Sequence, residues 1–106
     1  MSDIIRIGNC SGFYGDRLKA AIEMVEGGPI DVLTGDYLAE LTMKILYDQR
    51  EQRGAHLGYV GTFLKQFEEV VAACLDRGIK IVTNAGGLNP AGLTEEVEKV
   101  LKAQGL

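Results

Sequence analysis

Four segments of the chain repeat apolar residues at the three- and four-residue spacing that is typical of an amphipathic helix. They are residues 16–27, 38–54, 60–77 and 89–104. The third is the most regular, and it ends at Arg77-Gly78 with a cation in the last turn and glycine after it. Short apolar runs lie before or between these segments and predict three strands, at residues 4–7, 30–34 and 79–83.

The predicted order of elements is β-α-β-α-α-β-α. Strands that are joined by helical crossovers pair in parallel through right-handed connections. The order therefore predicts an α/β fold, a three-layer, open parallel sheet of the Rossmann-like kind, in a single domain over residues 1–106. The preferred strand order is 2-1-3, and the order 1-2-3, as at the opening of a barrel, is the alternative.

The last residues, 102–106, stand where a fourth strand would follow in such a fold. A sheet of only three strands is narrow and has exposed edges, which invite pairing with another chain. We therefore expect the chain to be the front part of a longer α/β protein. The rest of that protein is one expected partner, and a homo-oligomer of the isolated piece is another.

The composition narrows the functional classes. The net charge is −4, and the only basic concentration is Arg50, Arg53 and His56, so nucleic-acid binding through phosphate contacts is not expected. Cys10 and Cys74 match no zinc spacing, and no motif indicates a cofactor. The sequence shows no signal peptide and no apolar run of about 20 residues that would cross a membrane. These features predict a cytoplasmic protein with reduced thiols and no membrane partner.

Ligands of open parallel sheets bind outside the carboxyl ends of the strands. The loops predicted there are GNCSGFYGD (8–16), GDYLAE (35–40) and NAGGLNPAG (84–92), and each is rich in glycine or polar residues. The connections predicted at the opposite end are plain turns, at residues 27–29, 54–59 and 77–78. This asymmetry predicts a functional site at the carboxyl end of the sheet.

The first loop, residues 8–16, has glycines that match neither the dinucleotide-binding fingerprint nor a P-loop. Backbone amides at residues 12–15, just before a helix, can still bind an anion, although a tight turn with a helix cap also explains these glycines. Cys10 is a candidate nucleophile or a small core residue. The single histidine, His56, is predicted at the other end of the sheet.

The third loop, residues 84–92, places Asn84 directly after a strand. Gly86-Gly87 permits close approach of a ligand to the backbone, or a positive φ angle. Asn89 before Pro90 has the pattern of a helix N-cap followed by proline in the first turn.

The second loop, residues 35–40, contains Asp36 and, one helical turn later, Glu40. Two carboxylates at this spacing are candidates for acid/base chemistry or for metal binding. A helix cap with a favourable acid in the first turn is the structural alternative. Tyr37 and Tyr14 are candidate proton donors or half-buried aromatic residues.

Three long motifs, RIGNCSGFYGDR (6–17), GGPIDVLTGDYLAELTM (27–43) and NAGGLNPAG (84–92), resemble the N-terminal region of the acyclic terpene utilisation protein family. The resemblance covers essentially the whole chain in the family's order. Because the family's members are much longer, it implies that this chain is the N-terminal part of their domain. It further implies a role in bacterial catabolism of acyclic terpenes such as citronellol and geraniol, beside acyl-CoA carboxylase and other acyl-CoA enzymes. It brings no assigned catalytic residue.

Two functions agree with the loops and with the resemblance. The first is an enzyme that acts on a small molecule, either a branched or isoprenoid acyl-CoA, as a coenzyme A thioester, or a related carboxylate. The second is a non-catalytic binding or assembly subunit for acyl-CoA carboxylation enzymes.

In the enzyme, Asp36 is the candidate acid/base, Asn84 or Asn9 binds a carbonyl, and the glycine amides meet an anionic head group. The predicted catalytic residues are Asp36, Asn84, Asn9 and Cys10. The predicted ligand-binding residues are Gly12, Tyr14, Gly15, Asp16, Gly35, Gly86, Gly87 and Asn89. No metal site is predicted.

Overall fold

A computed structural model describes residues 4–106, and the start of the predicted domain, residues 1–3, lies outside the described residues. The described residues contain a sheet of three parallel strands. The strands are β1 (Ile7–Asn9), β2 (Val32–Gly35) and β3 (Lys80–Thr83). The α/β class and the open parallel sheet are confirmed. The preferred 2-1-3 order is wrong, because β2 pairs with both β1 and β3 and the order is β1-β2-β3.

The helices are α1 (Ala20–Gly27), α2 (Glu40–Arg53), α3 (Gly61–Arg77) and α4 (Pro90–Ala103). Two predicted helix ends are confirmed: α3 ends at Gly78 with φ 69°, and α4 begins at Asn89, whose Oδ1 accepts the Gly92 N–H at 3.0 Å. Neither Asp16 nor Asp36 is a helix N-cap, since α1 and α2 follow Lys19 and Ala39. The other part of the structural alternative is confirmed for the second loop, because Glu40 lies in the first turn of α2.

The strand order decides where the helices lie. Two right-handed crossovers that step in the same direction place α1 and α3 on the same face of the sheet, and these helices pack against each other. Leu33 of β2 is buried on this covered face, whereas Ile7 and Val82 on the other face are 65% and 58% exposed. The described residues therefore form two layers, and the expected third layer is not among them.

The buried residues form two groups along the covered face. One joins α1 and α3 to the sheet through Val25, Leu33, Val70 and Cys74. The other lies at the carboxyl end of the strands and is built from Tyr37, Leu46, Val60, Phe63, Phe67 and Leu93, among others. Leu46 belongs to α2 and is 0% exposed, so α2 is anchored over the carboxyl-end loops. Truncating such a residue to alanine costs about 2–5 kcal/mol.

None of the helices in residues 4–106 combines the length and the apolarity that a bilayer crossing requires.

Candidate functional site

Four loops meet at the carboxyl end of the sheet, one more than the sequence predicts. The fourth is the α2–α3 connection, residues 54–60, which is hydrogen-bonded to the third loop. The Val60 N–H donates to the Ala85 carbonyl at 2.8 Å, and the Leu88 N–H donates to the Gly58 carbonyl at 2.8 Å. The prediction that residues 54–59 lie at the opposite end is therefore wrong, and so is the placement of His56 there.

Helix lengths explain why this loop lies where it does. Helix α3 has 17 residues and is therefore about 25 Å long, while a four-residue strand spans about 13 Å. Helix α3 alone is therefore long enough to lead the chain from the carboxyl end of the sheet back to the amino end, so α2 is not needed for this crossover. Both ends of α2 must then lie near the carboxyl end, and this signal was present in the sequence.

The centre of the site is a hydrogen-bonded pair from neighbouring strands. Asp36 and Asn84 follow β2 and β3 directly, and the Asn84 Nδ2 donates to Asp36 Oδ1 at 2.7 Å. The Asn84 Oδ1 accepts the Tyr37 N–H at 2.9 Å, so the amide is held from both sides. Both residues are exposed, and within residues 4–106 the second carboxylate oxygen of Asp36 makes no hydrogen bond. Asp36 is thus fixed in direction yet open to a ligand.

A surface groove of about 420 Å³ begins at Asn84 and runs between the residues after β2 and the start of α4. It is lined by Leu38, Thr83, Asn84, Gly86, Gly87, Pro90, Leu93 and Thr94. Leu38, Pro90 and Leu93 make the wall apolar, and Asn84 makes one end polar. Other surface depressions of the molecule have volumes of about 340–510 Å³, so the size does not distinguish this groove. Its position at the carboxyl ends of the strands and its mixture of apolar and polar surface make it the candidate small-molecule site.

The two glycines of the third loop differ in what surrounds them. Gly87 has φ 55°, and a Cβ there would lie 2.6 Å from Leu46 Cδ1 and 2.8 Å from the Gly58 oxygen. A Cβ at Gly86 would lie 3.0 Å from Pro90 Cα. Packing within the chain therefore requires Gly87. The Gly86 N–H, on the groove, has no acceptor among the described residues, whereas the amides at 85, 87, 88 and 89 are all bonded. Of the backbone amides at 85–89, that of Gly86 alone lacks an acceptor among the described residues and is left for a ligand.

The first loop is closed by its own side chains. The Asp16 carboxylate accepts the Gly12 N–H at 3.0 Å and the Arg17 N–H at 2.8 Å. These two bonds lower the pKa of Asp16, and the bond from Gly12 has the larger effect. The Gly12 amide that was expected to meet an anion is thus already bonded to a carboxylate. Ligand binding by Gly12, Gly15 and Asp16 stays a prediction, and the bonded Gly12 amide does not support it.

Cys10 lies in the core, 7% exposed, beside the buried ring of Tyr37. Burial raises the pKa of the Cys10 thiol, which keeps it protonated at neutral pH and disfavours a nucleophilic role. The Tyr37 hydroxyl donates to Gln66 Oε1, and burial raises the tyrosine pKa as well. Gly35 is explained by the same ring, because a Cβ there would lie 2.6 Å from Tyr37 Cε2.

Among the described residues, neither Asn9 nor Tyr14 is hydrogen-bonded to the Asp36–Asn84 pair, although the Asn9 side chain and the Asp36 N–H donate to the same Ser11 carbonyl. Asn9 accepts the Thr34 hydroxyl at 3.0 Å and donates to the Ser11 carbonyl at 3.0 Å. It lies on the uncovered face of the sheet with Ile7, since the residue between them is buried. The Tyr14 hydroxyl accepts from Gln49 of α2 at 3.5 Å. The structure therefore brings Asp36, Asn84, Gly86 and Gly87 together in one place. Among the described residues, none of these four is directly hydrogen-bonded to Asn9, Cys10 or Tyr14.

The sequence did not identify the apolar groove wall, Leu38 and Leu93, or the position of the basic residues of α2. Leu38 and Leu93 read as ordinary core positions, and only the tertiary arrangement brings them beside Asn84. Over residues 4–106, no three or more His, Cys, Asp or Glu side chains are placed together so as to hold a metal ion.

The fold and this site define an open α/β protein with a polar cleft at the carboxyl ends of its strands. Comparison with family models matches residues 5–106 to Acyclic terpene utilisation family protein AtuA. The match covers nearly the whole chain, and the chain belongs to that family. No curated protein and no solved structure matches it.

Proposed function

We propose that this chain binds a branched or isoprenoid acyl group, as a coenzyme A thioester or a related carboxylate, and acts on it during acyclic terpene utilisation. The observation that carries the proposal is the groove of about 420 Å³, apolar along its wall and polar at Asn84. An aliphatic chain suits the wall, and a carbonyl suits the polar end. The family membership supplies the terpene context.

The polar end offers two donors for a carbonyl oxygen. Asn84 Nδ2 carries two hydrogens and uses one of them on Asp36, and the Gly86 N–H is free within the described residues. Together they are donors for an oxygen on which negative charge develops. The open oxygen of Asp36 is then the acceptor for a proton of the substrate.

The charge of Asp36 favours a thioester over a free carboxylate. A thioester carbonyl is neutral, whereas a substrate carboxylate at the Asn84 end would place two negative charges within a few ångströms of each other. Like charges about 4 Å apart repel by about 4 kcal/mol near a protein surface. The coenzyme A thioester is therefore the preferred form of the substrate.

A binding or assembly role without catalysis is the second candidate, and one specific observation favours it. The sheet face that no described helix covers exposes Ile7 and Val82, which are 65% and 58% exposed. Apolar residues on an open face between two unpaired strand edges fit contact with another protein surface, including further chain of this protein or a second copy.

The test is a map of backbone amide shifts on the labelled chain, titrated with a branched acyl-CoA such as 3-methylbutanoyl-CoA. We expect shifts at residues 84–94 and at Asp36 and Leu38, reduced in Asn84→Ala and in Asp36→Asn. Asn9→Ala is the matched control, because it removes an exposed asparagine of the first loop. Shifts confined to the exposed sheet face would replace the enzyme proposal with the assembly role.

A further inference from the structure

Three basic residues fall within one short segment at the carboxyl end of the sheet. Arg50 and Arg53 belong to the last turn of α2, and His56 belongs to the loop that follows it. None of the three forms an ion pair with another described residue, although the chain pairs four other cations with carboxylates. Arg6, Lys65, Arg77, Lys80 and Lys102 likewise form no ion pair among the described residues. The exception is the concentration of three basic groups within seven residues of a chain whose net charge is −4.

This basic cluster, Arg50, Arg53 and His56, is joined to the loop that lines the groove. A Cβ at Gly58 would lie 3.4 Å from Arg50 Cδ, and equally 3.4 Å from the Cβ atoms of Leu88 and Asn89. The stem of Arg50 therefore packs beside the start of α4. Asn89 Nδ2 donates to the carbonyl of His56 at 3.2 Å, which fixes the loop that carries the histidine.

The N-terminus of α4 adds positive partial charge at the same place. Asn89 caps this helix and also donates to the backbone carbonyl of His56, so the loop that carries the histidine lies beside the start of α4. The nearest carboxylates along α2 do not neutralise it. Asp48 accepts from Lys44 at 3.0 Å, and Glu51 follows Arg50 directly and so does not share its face.

A purely structural role explains only part of this arrangement. Cations in the last turn of a helix interact favourably with its dipole, by about 0.3–1 kcal/mol each, which accounts for Arg50 and Arg53 on α2. It does not account for His56, nor for the approach of Arg50 to the positive end of α4. An anion placed between the cluster and α4 would relieve this concentration of positive charge.

We infer that Arg50, Arg53 and His56 bind the phosphate groups of a pyrophosphate-bearing ligand whose acyl part lies in the adjacent groove. The acyl part rests on the proposed function, whereas the phosphate contact stands on the cluster alone. Guanidinium groups bind phosphate oxygens through paired charge-assisted hydrogen bonds, so the arginines supply most of the affinity. The anionic end of the ligand is thereby assigned to residues 50–56 and not to the glycines of the first loop.

The experiment is a calorimetric titration of the chain with inorganic pyrophosphate at low salt. We expect saturable binding whose Kd rises about tenfold or more in the Arg50→Gln/Arg53→Gln double variant. The control is Lys65→Gln/Lys102→Gln, which removes the same charge from exposed positions and includes a last-turn cation of α4. Circular dichroism checks that each variant is folded.

Three results would overturn the inference: no binding to the unaltered chain, equal loss in the control, or unchanged affinity in the arginine variant. Asp36→Asn separates this inference from the proposed function. It should leave pyrophosphate affinity unchanged and weaken binding of the acyl thioester. A further outcome is that pyrophosphate affinity falls in the arginine variant while thioester affinity is unchanged in Asp36→Asn and Asn84→Ala. That combination would support the phosphate site at the basic cluster and contradict the acyl site in the groove.

Discussion

The first and third loops have similar compositions but opposite roles. Residues 8–16 make about half of their hydrogen bonds within the loop: Gly12 donates to Asp16, and the Ser11 hydroxyl donates to the Phe13 carbonyl at 3.0 Å. The others join the loop to the second strand and its loop, through Cys10 and the Ser11 carbonyl, and to Gln49 of α2. Residues 84–92 bond mainly to other parts of the chain. Asn84 holds the second loop, and Asn89 holds the α2–α3 loop, at distances of 2.7–3.2 Å.

The difference shows that glycine and asparagine in a strand–helix loop do not by themselves indicate a ligand site. In the first loop they let a turn satisfy its own polar groups. In the third loop they let four segments come together around one short stretch, and the groove is a by-product of that junction. A side chain at a junction is fixed by several partners, which is the condition that a functional group needs.

The largest expected effect is that of Gly87→Ala. The new Cβ would meet Leu46 Cδ1 at 2.6 Å and the Gly58 oxygen at 2.8 Å, with φ at 55°. That oxygen already accepts the Leu88 N–H and cannot move freely. Backbone strain and overpacking together predict a loss of about 2–4 kcal/mol in the free energy of unfolding, measured by urea denaturation.

Gly15→Ala is the matched variant in the first loop. Its φ is 89°, but a Cβ there would meet nothing within 4 Å, so only the backbone term of about 1–2 kcal/mol remains. Equal losses in the two variants would contradict the view that the third loop is a packing junction and the first is not.

The second prediction concerns Asn89, which caps α4 and also donates to the carbonyls of His56 and Leu57. Asn89→Ala should lower the free energy of unfolding by about 2 kcal/mol, half from the cap and half from the carbonyls left without their donor. Asn89→Ser keeps a cap acceptor but is too short to hold the loop. It should recover about 1 kcal/mol. Full recovery would mean that the contacts to residues 56 and 57 contribute nothing, and thermal or urea denaturation distinguishes these results.

The features of the fold that depend on neighbouring residues in the chain could be predicted from the sequence. The ends of α3 and α4 follow from Gly78 and Asn89, because these residues act within a few positions of their own place in the chain. Strand order could not be predicted, since both orders satisfy the same periodicity and the same handedness. It is decided by which helices pack together, and that depends on contacts distant in sequence.

The candidate site divides in the same way. Asn84 was predicted because it directly follows a strand, and Asp36 because its loop lies at the carboxyl end with Glu40 one turn later. Their approach to 2.7 Å depends on the adjacency of β2 and β3, which the preferred 2-1-3 order did not include. Asn9 is the last residue of β1, and because side chains alternate along a strand, its position next to the buried Gly8 turns it to the uncovered face. The roles of all these residues as site residues remain predictions. The cluster at residues 50–56 was misplaced because the residues of the α2–α3 loop do not themselves indicate which end of the sheet the loop occupies. That information lies in the length of α3, which is 17 residues.

The third prediction compares the asparagines of the two loops. Asn84→Ala leaves the Tyr37 N–H without its acceptor and frees Asp36, which should lower the free energy of unfolding by about 1–2 kcal/mol. Asn9→Ala removes an exposed bond to Thr34 and a partly buried bond to Ser11, for which water substitutes, and should cost about 0.5 kcal/mol. A larger loss for Asn9 than for Asn84, in the same denaturation experiment, would reverse the ranking of the two loops.

The smallest effect is expected from Asp16, because its carboxylate is exposed and its bonds are screened by solvent. The amides of Gly12 and then Arg17 lower its folded pKa below the ordinary value of about 3.9. The stability it contributes is therefore present above pH of about 4 and is lost as the pH falls through the lower folded pKa. Asp16→Asn should shift the urea midpoint slightly at pH 7, and this difference should shrink on acidification. The Gly12 amide resonance reports the same event, and a midpoint at or above the ordinary value would show that the first loop is not closed by this carboxylate.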